Sequence, residues 1–562
     1  MEELSKSQKA RNAIATFKTL ADSFILRGSY SPSGKTGKKL EDALRNFNPE
    51  IYGSMSDPRI VELKGLEYVI DRLPRGIEKC SKIILTAQEE LDHTTFEEVH
   101  ALRRRRFSYI VSEKEMCLVV TRGTTEIYDF LTHLTFLNIE AQKIHSQVCL
   151  PGGGTTQEWE ELRKIVDSEE DIGEAELDQA IWNLSIILGR TYKETRQTFW
   201  SLEANRKEKF NSGLFRIIYS LGQRVINETN VVSDLLTIYF TPSLQEILGH
   251  HKYASIWAEN IKKKLVDGML HERPIHVVSA NLHSFLNLFY GTGALEKNGF
   301  DPNPDLYEMV DQIRSSDIDV GAFASEYGFT PLHDESGSNI EVQIVDSSKL
   351  TNDCFHPEIS VDWDYIHTFK PLILIMDYAF GTQAYEVMDE LLSPCVIDNR
   401  KISLSIKSIS IMGKAGILPG KKGDIMLATA HVMEGTPHNY ILKNDLCETD
   451  FDDHVSVYCG PMVTVLGTSL QNRDVLERFH ASSWRAIGLE MEGGHYQRAI
   501  NAAIIQGHIP QEMKIRYAYY ASDNPLVSGQ TLASGPMGVD GIVPTYMITK
   551  VIIQKILNDS DE

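Results

Sequence analysis

At 562 residues the chain is too long for one core, so two or three domains are expected. Its 56 Lys and Arg against 78 Asp and Glu leave a net charge of −22, which argues against a nucleic-acid backbone as partner but leaves room for one small anion pocket. Seven dispersed cysteines with no CxxC pair, no signal-peptide apolar core and no apolar run of roughly 18–20 residues lead us to expect reduced thiols, a cytoplasmic location and no membrane span.

From residue 1 to 150 the spacing predicts helices. Apolar residues recur every three or four positions in Leu63–Leu73 and in Glu97–Arg106. Pro151-Gly-Gly-Gly154 then interrupts the pattern, and Thr155-Thr156 can cap a helix starting near Gln157. Residues 151–272 read as helical again, as in Glu176–Leu188, either as a second domain or as one domain with the first.

Three polar signals in this half look like motifs and are set aside. Ser33-Gly-Lys-Thr36 has Ser29 where a phosphate-binding loop needs its first glycine, so a flexible basic loop is expected. His250 and His251 are adjacent; on a helix they point about 100° apart, which disfavours a shared metal, and none is expected. Arg103–Arg106 read as a solvated helical face or as intersubunit salt bridges, with an anion site for a neighbouring active site as the minor alternative.

Near Pro274 the pattern changes. Ile275–Ala280 is a short β-branched run, followed by helical spacing in Asn281–Tyr290. Strand-like runs recur at Glu341–Val345, Leu372–Met376, Ser408–Met412, Val463–Leu466 and Ile515–Tyr520. Such alternation indicates an α/β domain over 273–562, with a central mixed sheet flanked by helices. Residues 292–370 fit less well and read as an insertion, with surface loops at Asp301–Asp305 and Asp334–Asn339.

Five places in this half hold residues suited to a binding site. Gly381-Thr382 turns a strand into the helix that starts at Gln383; a plain turn with its cap would look the same. Gly413-Lys-Ala-Gly416 would let a ligand approach the backbone, with Lys414 read as a surface lysine and Gly423-Asp424 as a turn. Gly460–Leu470 is a strand and turn, with Gly467 and Leu470 at its end. Glu490-Met491-Glu492 stands before a double glycine, and Ser522-Asp523 ends an apolar strand.

Taken in this order, these motifs resemble the purine nucleoside phosphorylase and nucleosidase superfamily, most of all AMP nucleosidase, over residues 274–556. The resemblance implies the superfamily's central mixed sheet, preceded here by a largely helical N-terminal region. It assigns Glu492 to the ribose hydroxyls, since an ionised carboxylate offers two acceptor oxygens at a matching spacing. It assigns Asp523 to protonation of the departing purine. Met491 would lie against the sugar. Glu490, Ser522, Gly413, Gly381, Thr382, Gly467, Leu470 and Asn281 would complete the substrate site.

The activity so implied is cleavage of a purine N-glycosidic bond, with hydrolysis of an AMP-like nucleotide foremost. Phosphorolysis by inorganic phosphate is the enzymatic alternative, and an inactive nucleotide sensor is the third reading. No glutamate ends the first strand, so no water-activating base can be placed. No cofactor is expected, and a homo-oligomer is.

Overall fold

Short apolar runs become buried strands in this chain, and amphipathic stretches become the helices that cover them. The computed structural model describes residues 4–104, 106–168, 173–230, 234–452, 454–527 and 537–558. The chain divides into two compact units. The first comprises Met1–Thr121, Glu126–His250 and Ser469–Val475; the second comprises Arg122–Thr125, His251–Thr468 and Leu476–Glu562.

The first unit is largely helical, as the spacing predicts, and it also holds a six-stranded sheet. Its strands are β1 (Ser29–Tyr30), β2 (Lys82–Thr86), β3 (Glu97–Val99), β4 (Ser108–Ser112), β5 (Glu115–Val119) and β6 (Thr237–Phe240), in the order β1-β6-β2-β5-β4-β3. The helix Gln157–Asp167 starts where expected, with the Thr156 hydroxyl accepting from the Trp159 amide.

Three expectations fail in this unit. Glu97–Arg106 is not a helix: Glu97–Val99 pairs antiparallel with Ser108–Ile110, and bends follow. Arg106 is no solvated cation but is buried, 3.3 Å from Glu126 and paired with Asp129. Arg105 lies outside the described residues. Burial opposes ionisation of Asp129, yet His133 and Arg106 hold its carboxyl well below the usual range, while burial pushes the His133 imidazole down to about 3. The Ser33–Lys39 segment is no flexible loop either. It opens the helix Lys35–Phe47, and the Ser33 hydroxyl donates to Glu228 at 2.9 Å.

No unit boundary falls at residue 150, and the longest stretch of the second unit runs from His251 to Thr468. That stretch opens on the helix Lys252–Asp267, whose Trp257, Ile261 and Leu265 share a core with Ile275, Leu372 and Leu374.

In the second unit the strands are β7 (Ile275–Ser279), β8 (Phe329–Leu332), β9 (Val342–Asp346), β10 (Leu372–Met376), β11 (Cys395–Ile397), β12 (Arg400–Ile402), β13 (Ile406–Ile417), β14 (Ile425–Met433), β15 (Asn439–Ile441), β16 (Val457–Thr464), β17 (Gly488–Glu490) and β18 (Lys514–Asp523). Ten form one mixed sheet; β11 and β12 make a separate hairpin. Parallel β7, β10 and β13 lie at its centre, as expected for strands covered on both faces. Their alternation sorts side chains to two cores. Ile373 and Ile375 join Phe285 and Leu288 of the helix Leu282–Lys297 and Met547 of the helix Ile542–Leu557. Leu372, Leu374 and Met376 join Val387 of the helix Gln383–Leu392 and Ile500 of the helix Gly493–Ile505.

Residues 292–370 hold more than loops: β8 and β9 extend the sheet beyond β10, and Leu306–Ser315 is a helix.

Beyond β7 the long β13 takes part in a closed circuit. It pairs with β18, β18 with β14, β14 with β16, β16 with β17, and β17 again with β13. No described helix is long and apolar enough to cross a membrane.

Candidate active site

The closed circuit places two acidic segments on either side of one strand. Gly416 of β13 is paired with Leu489 of β17 on one side and with Asp523 of β18 on the other, next to a register shift at Ala415/Gly416. Strands two apart are separated by roughly 9–10 Å, which sets the spacing between the ends of β17 and β18 on either side of β13.

β17 ends in a sharp entry to the helix Gly493–Ile505. Gly493 and Gly494 make it possible: a Cβ on Gly493 would lie 2.3 Å from the His431 ring and 2.4 Å from the Tyr519 hydroxyl, and one on Gly494 2.3 Å from the Met433 sulfur. The helix's orphan amides need an acceptor. Glu490 supplies it, its Oε2 accepting from the Glu492 amide at 2.6 Å and from the Gly493 amide. Its Oε1 accepts from the Thr464 hydroxyl at 2.5 Å and lies 3.4 Å from His431 Nδ1. Burial alone would raise this carboxyl, yet His431, Thr464 and the Gly493 amide bring it below its ordinary value. The structure thus gives Glu490 an internal capping task in place of the expected substrate contact.

Glu492 has the opposite character. It is half-buried, and its Oε1 accepts from the Gly381 amide at 3.0 Å. Met491 beside it is buried. Gly381 and Thr382 are therefore brought to Glu492, but the Gly381 amide serves the protein's own carboxylate. Gly381 holds φ +56°, and a Cβ there would stand 2.4 Å from Thr125.

Across β13, Asp523 is buried at the end of β18. The Ser522 hydroxyl donates to its Oδ1 and lies 3.2 Å from the Ala415 carbonyl. Its Oδ2 is buried and has no hydrogen-bond partner among the described residues. Burial pushes the carboxyl up; the Ser522 hydrogen bond and the Lys414 charge oppose this only in part. Asn524 pins the strand end through the carbonyls of Leu418 and Gly420, so Ser-Asp-Asn-Pro anchors a strand and, among the described residues, caps no helix.

Gly413 pairs with Tyr519 in the β13–β18 ladder. A Cβ at this position would stand in ordinary contact with the Tyr519 and Tyr378 rings, at 3.8 and 3.9 Å. Asn281 caps the helix Leu282–Lys297, accepting from the His283 and Ser284 amides, and its backbone is hydrogen-bonded to Tyr378 beside Gly413. Gly467 belongs to the second unit and Leu470 to the first, where it is buried.

A family model matches residues 38–299 and 308–558. The chain belongs to the family of unknown function DUF6909. No curated protein matches. Solved structures similar to this DUF6909 chain include the 5′-methylthioadenosine/S-adenosyl homocysteine nucleosidase of Campylobacter jejuni, at 12% identity over 51% of this chain and 99% of that one, TM-score 0.30. The native futalosine hydrolase of Helicobacter pylori aligns at 12% identity over 51% and 98%, TM-score 0.29. The apo 5′-methylthioadenosine nucleosidase of Arabidopsis thaliana aligns at 11% identity over 52% and 98%, TM-score 0.31.

Sequence reasoning about this DUF6909 chain missed His431, Thr464 and Tyr519, whose places come from strand register, and Tyr378, in the turn after β10. It also set His251 aside. The structure brings His251 together with Asp389 and Glu390, their ligand-type atoms within 4.8 Å of one another, although Arg498 and His508 also face Asp389. Glu386, one turn into the helix Gln383–Leu392, is a further carboxyl beside the Gly381 turn, pushed up to about 8 by burial.

Proposed function

We propose that the chain hydrolyses the N-glycosidic bond of a purine ribonucleotide or ribonucleoside, with an AMP-like substrate foremost. The observation that carries this reading is Asp523: a buried acid whose carboxyl is pushed up by burial, with one oxygen free of partners among the described residues, at the end of a strand that β13 separates from the strand leading to half-buried Glu492.

In this mechanism the bond between C1′ and the purine ring nitrogen breaks, and its electron pair leaves with the base. Asp523 delivers a proton to the purine, so that a neutral base departs. General acid catalysis of this kind contributes about 10²- to 10⁴-fold. Glu492 accepts from the 2′ and 3′ hydroxyls, orients the sugar, and places negative charge near the cationic C1′. Water adds to C1′, and its surplus proton restores the acid. The Tyr378 and Tyr519 rings beside Gly413 suit contact with a flat ring or the sugar face.

One observation favours phosphorolysis as the second reading. Exposed Lys414 follows Gly413 and acts electrostatically on Asp523, a place for a cation that would hold inorganic phosphate. A panel of purine nucleotides and nucleosides, with released base separated by chromatography, tests both. Adenine released from AMP in phosphate-free buffer supports hydrolysis. Strict dependence on phosphate supports the second reading, and binding without release of any base overturns both.

A further inference from the structure

Two helix starts are joined by a pair of threonines. Thr382 is the N-cap residue of the helix Gln383–Leu392, yet its hydroxyl caps nothing within that helix. Instead its Oγ1 accepts from the Thr125 amide at 3.1 Å, in the first turn of the helix Gly123–Val148, and lies 3.1 Å from the Thr124 hydroxyl. Thr125 reciprocates, its Oγ1 accepting from the Thr382 amide at 2.9 Å. The two hydroxyls are 3.2 Å apart. Each threonine thus satisfies an orphan amide at the start of the other's helix, which a side-chain oxygen normally does for its own. All these residues, Arg122–Thr125 included, belong to the second unit.

The joint is tight on both sides. Gly123 has φ +68°, and a Cβ there would stand 2.6 Å from Glu386 Oε1 and 2.9 Å from Thr382 Oγ1. A Cβ on Gly381 would stand 2.4 Å from both the hydroxyl oxygen and the methyl carbon of Thr125. Gly381 therefore has its left-handed backbone fixed by Thr125 behind it and by Thr382 after it. Its amide is the one that holds Glu492 Oε1 at 3.0 Å.

We propose that Thr125 and Thr382 are positioning residues for the ribose-binding carboxylate: their crossed caps lock the Gly381 turn and thereby the aim of Glu492. This rests on the reading of Glu492 as the ribose clamp. Thr125 then acts on sugar recognition through Glu492 alone and touches no substrate.

The test is a double-mutant cycle of Thr125→Val and Glu492→Ala, read as kcat/KM for a ribonucleotide over its 2′-deoxy analogue. The same cycle is repeated by calorimetric binding of the two ligands. Loss of one neutral hydrogen bond makes the expected fall in the ribo-over-deoxyribo ratio for Thr125→Val roughly five- to tenfold. Thr125→Ser, which keeps the hydroxyl, should restore the ratio, and Thr382→Val should reproduce the fall if Thr125→Val does not fold. In the Glu492→Ala background Thr125→Val should change the ratio no further. Full additivity there, or an unchanged ratio in a folded Thr125→Val protein, overturns the proposal while leaving the clamp intact. A wild type that neither turns over nor binds ribonucleotide removes the clamp itself, and the proposal with it.

Discussion

Replacing Asp523 by Asn removes a transferable proton while keeping the shape of the side chain. The carboxyl is buried, and its Oδ2 meets no partner among the described residues, so the change breaks no protein hydrogen bond at that atom. Ground-state binding should therefore survive, with KM within about threefold, since only the transition state needs the proton. The loss in kcat should be about 10²-fold or more, equivalent to roughly 2.7 kcal/mol at 1.36 kcal/mol per tenfold. Burial raises the carboxyl's pKa above its ordinary value, so the acid stays protonated further toward neutrality than an exposed aspartate. Wild-type kcat should fall as pH rises through that raised value, and this limb should vanish in the Asn protein. Stability supplies an independent sign. The folded pKa lies above the unfolded one, so the group's contribution is fully present below the unfolded value and is lost as pH rises through the folded value. Wild type should accordingly lose stability relative to Asp523→Asn across that window, measured by thermal melts at several pH values. A variant that raises KM alone, with kcat and its pH profile unchanged, refutes the general-acid assignment.

Glu492→Ala should lower kcat/KM for ribo-substrates at least tenfold, because a charged acceptor's hydrogen bonds contribute about 1.5–3 kcal/mol; the ratio to 2′-deoxy substrates measures it. Glu490→Gln should act first on stability, by about 1.5–3 kcal/mol in urea unfolding, since it weakens the cap on the Gly493 and Glu492 amides. The folded pKa of Glu490 is depressed, so the destabilisation should be full at neutral pH and shrink as pH falls through that value. Gly493→Ala should cost about 1–3 kcal/mol, as the new methyl meets His431 and Tyr519; equal thermal stability of the two proteins would contradict the packing argument.

Buried parallel strands were legible because both faces demand apolar, β-branched residues: Leu372–Met376 and Ile275–Ser279 lie where the runs place them. Thr156 was legible because a capping threonine stands next to the helix it starts. Glu97–Arg106 was misread because a three-residue edge strand followed by bends gives too few positions to separate a period of two from one of 3.6. The burial of Arg106 depends on carboxylates at 126 and 129 that only the fold brings to it. The acidic pair showed the same divide. Glu490 and Glu492 look alike in the chain, but Glu490 is the last residue of β17 and turns inward to His431 and Thr464, while Glu492 lies past the strand, half-buried at the start of the helix Gly493–Ile505. Threonines 257 residues apart carry no local signal of their crossed caps.

The closed circuit makes assembly of the proposed catalytic pair nearly all-or-none. β18 is the last of the described strands, and it closes ladders with both β13 and β14 while carrying Asp523 at its tip. A nascent chain that has released β17 already contains Glu492's side of the site, but its proton donor arrives only when that final strand docks. Premature termination before Lys514 would open the barrel and delete the acid in one stroke. Partial-length products should thus be inert, with no attenuated enzyme among them.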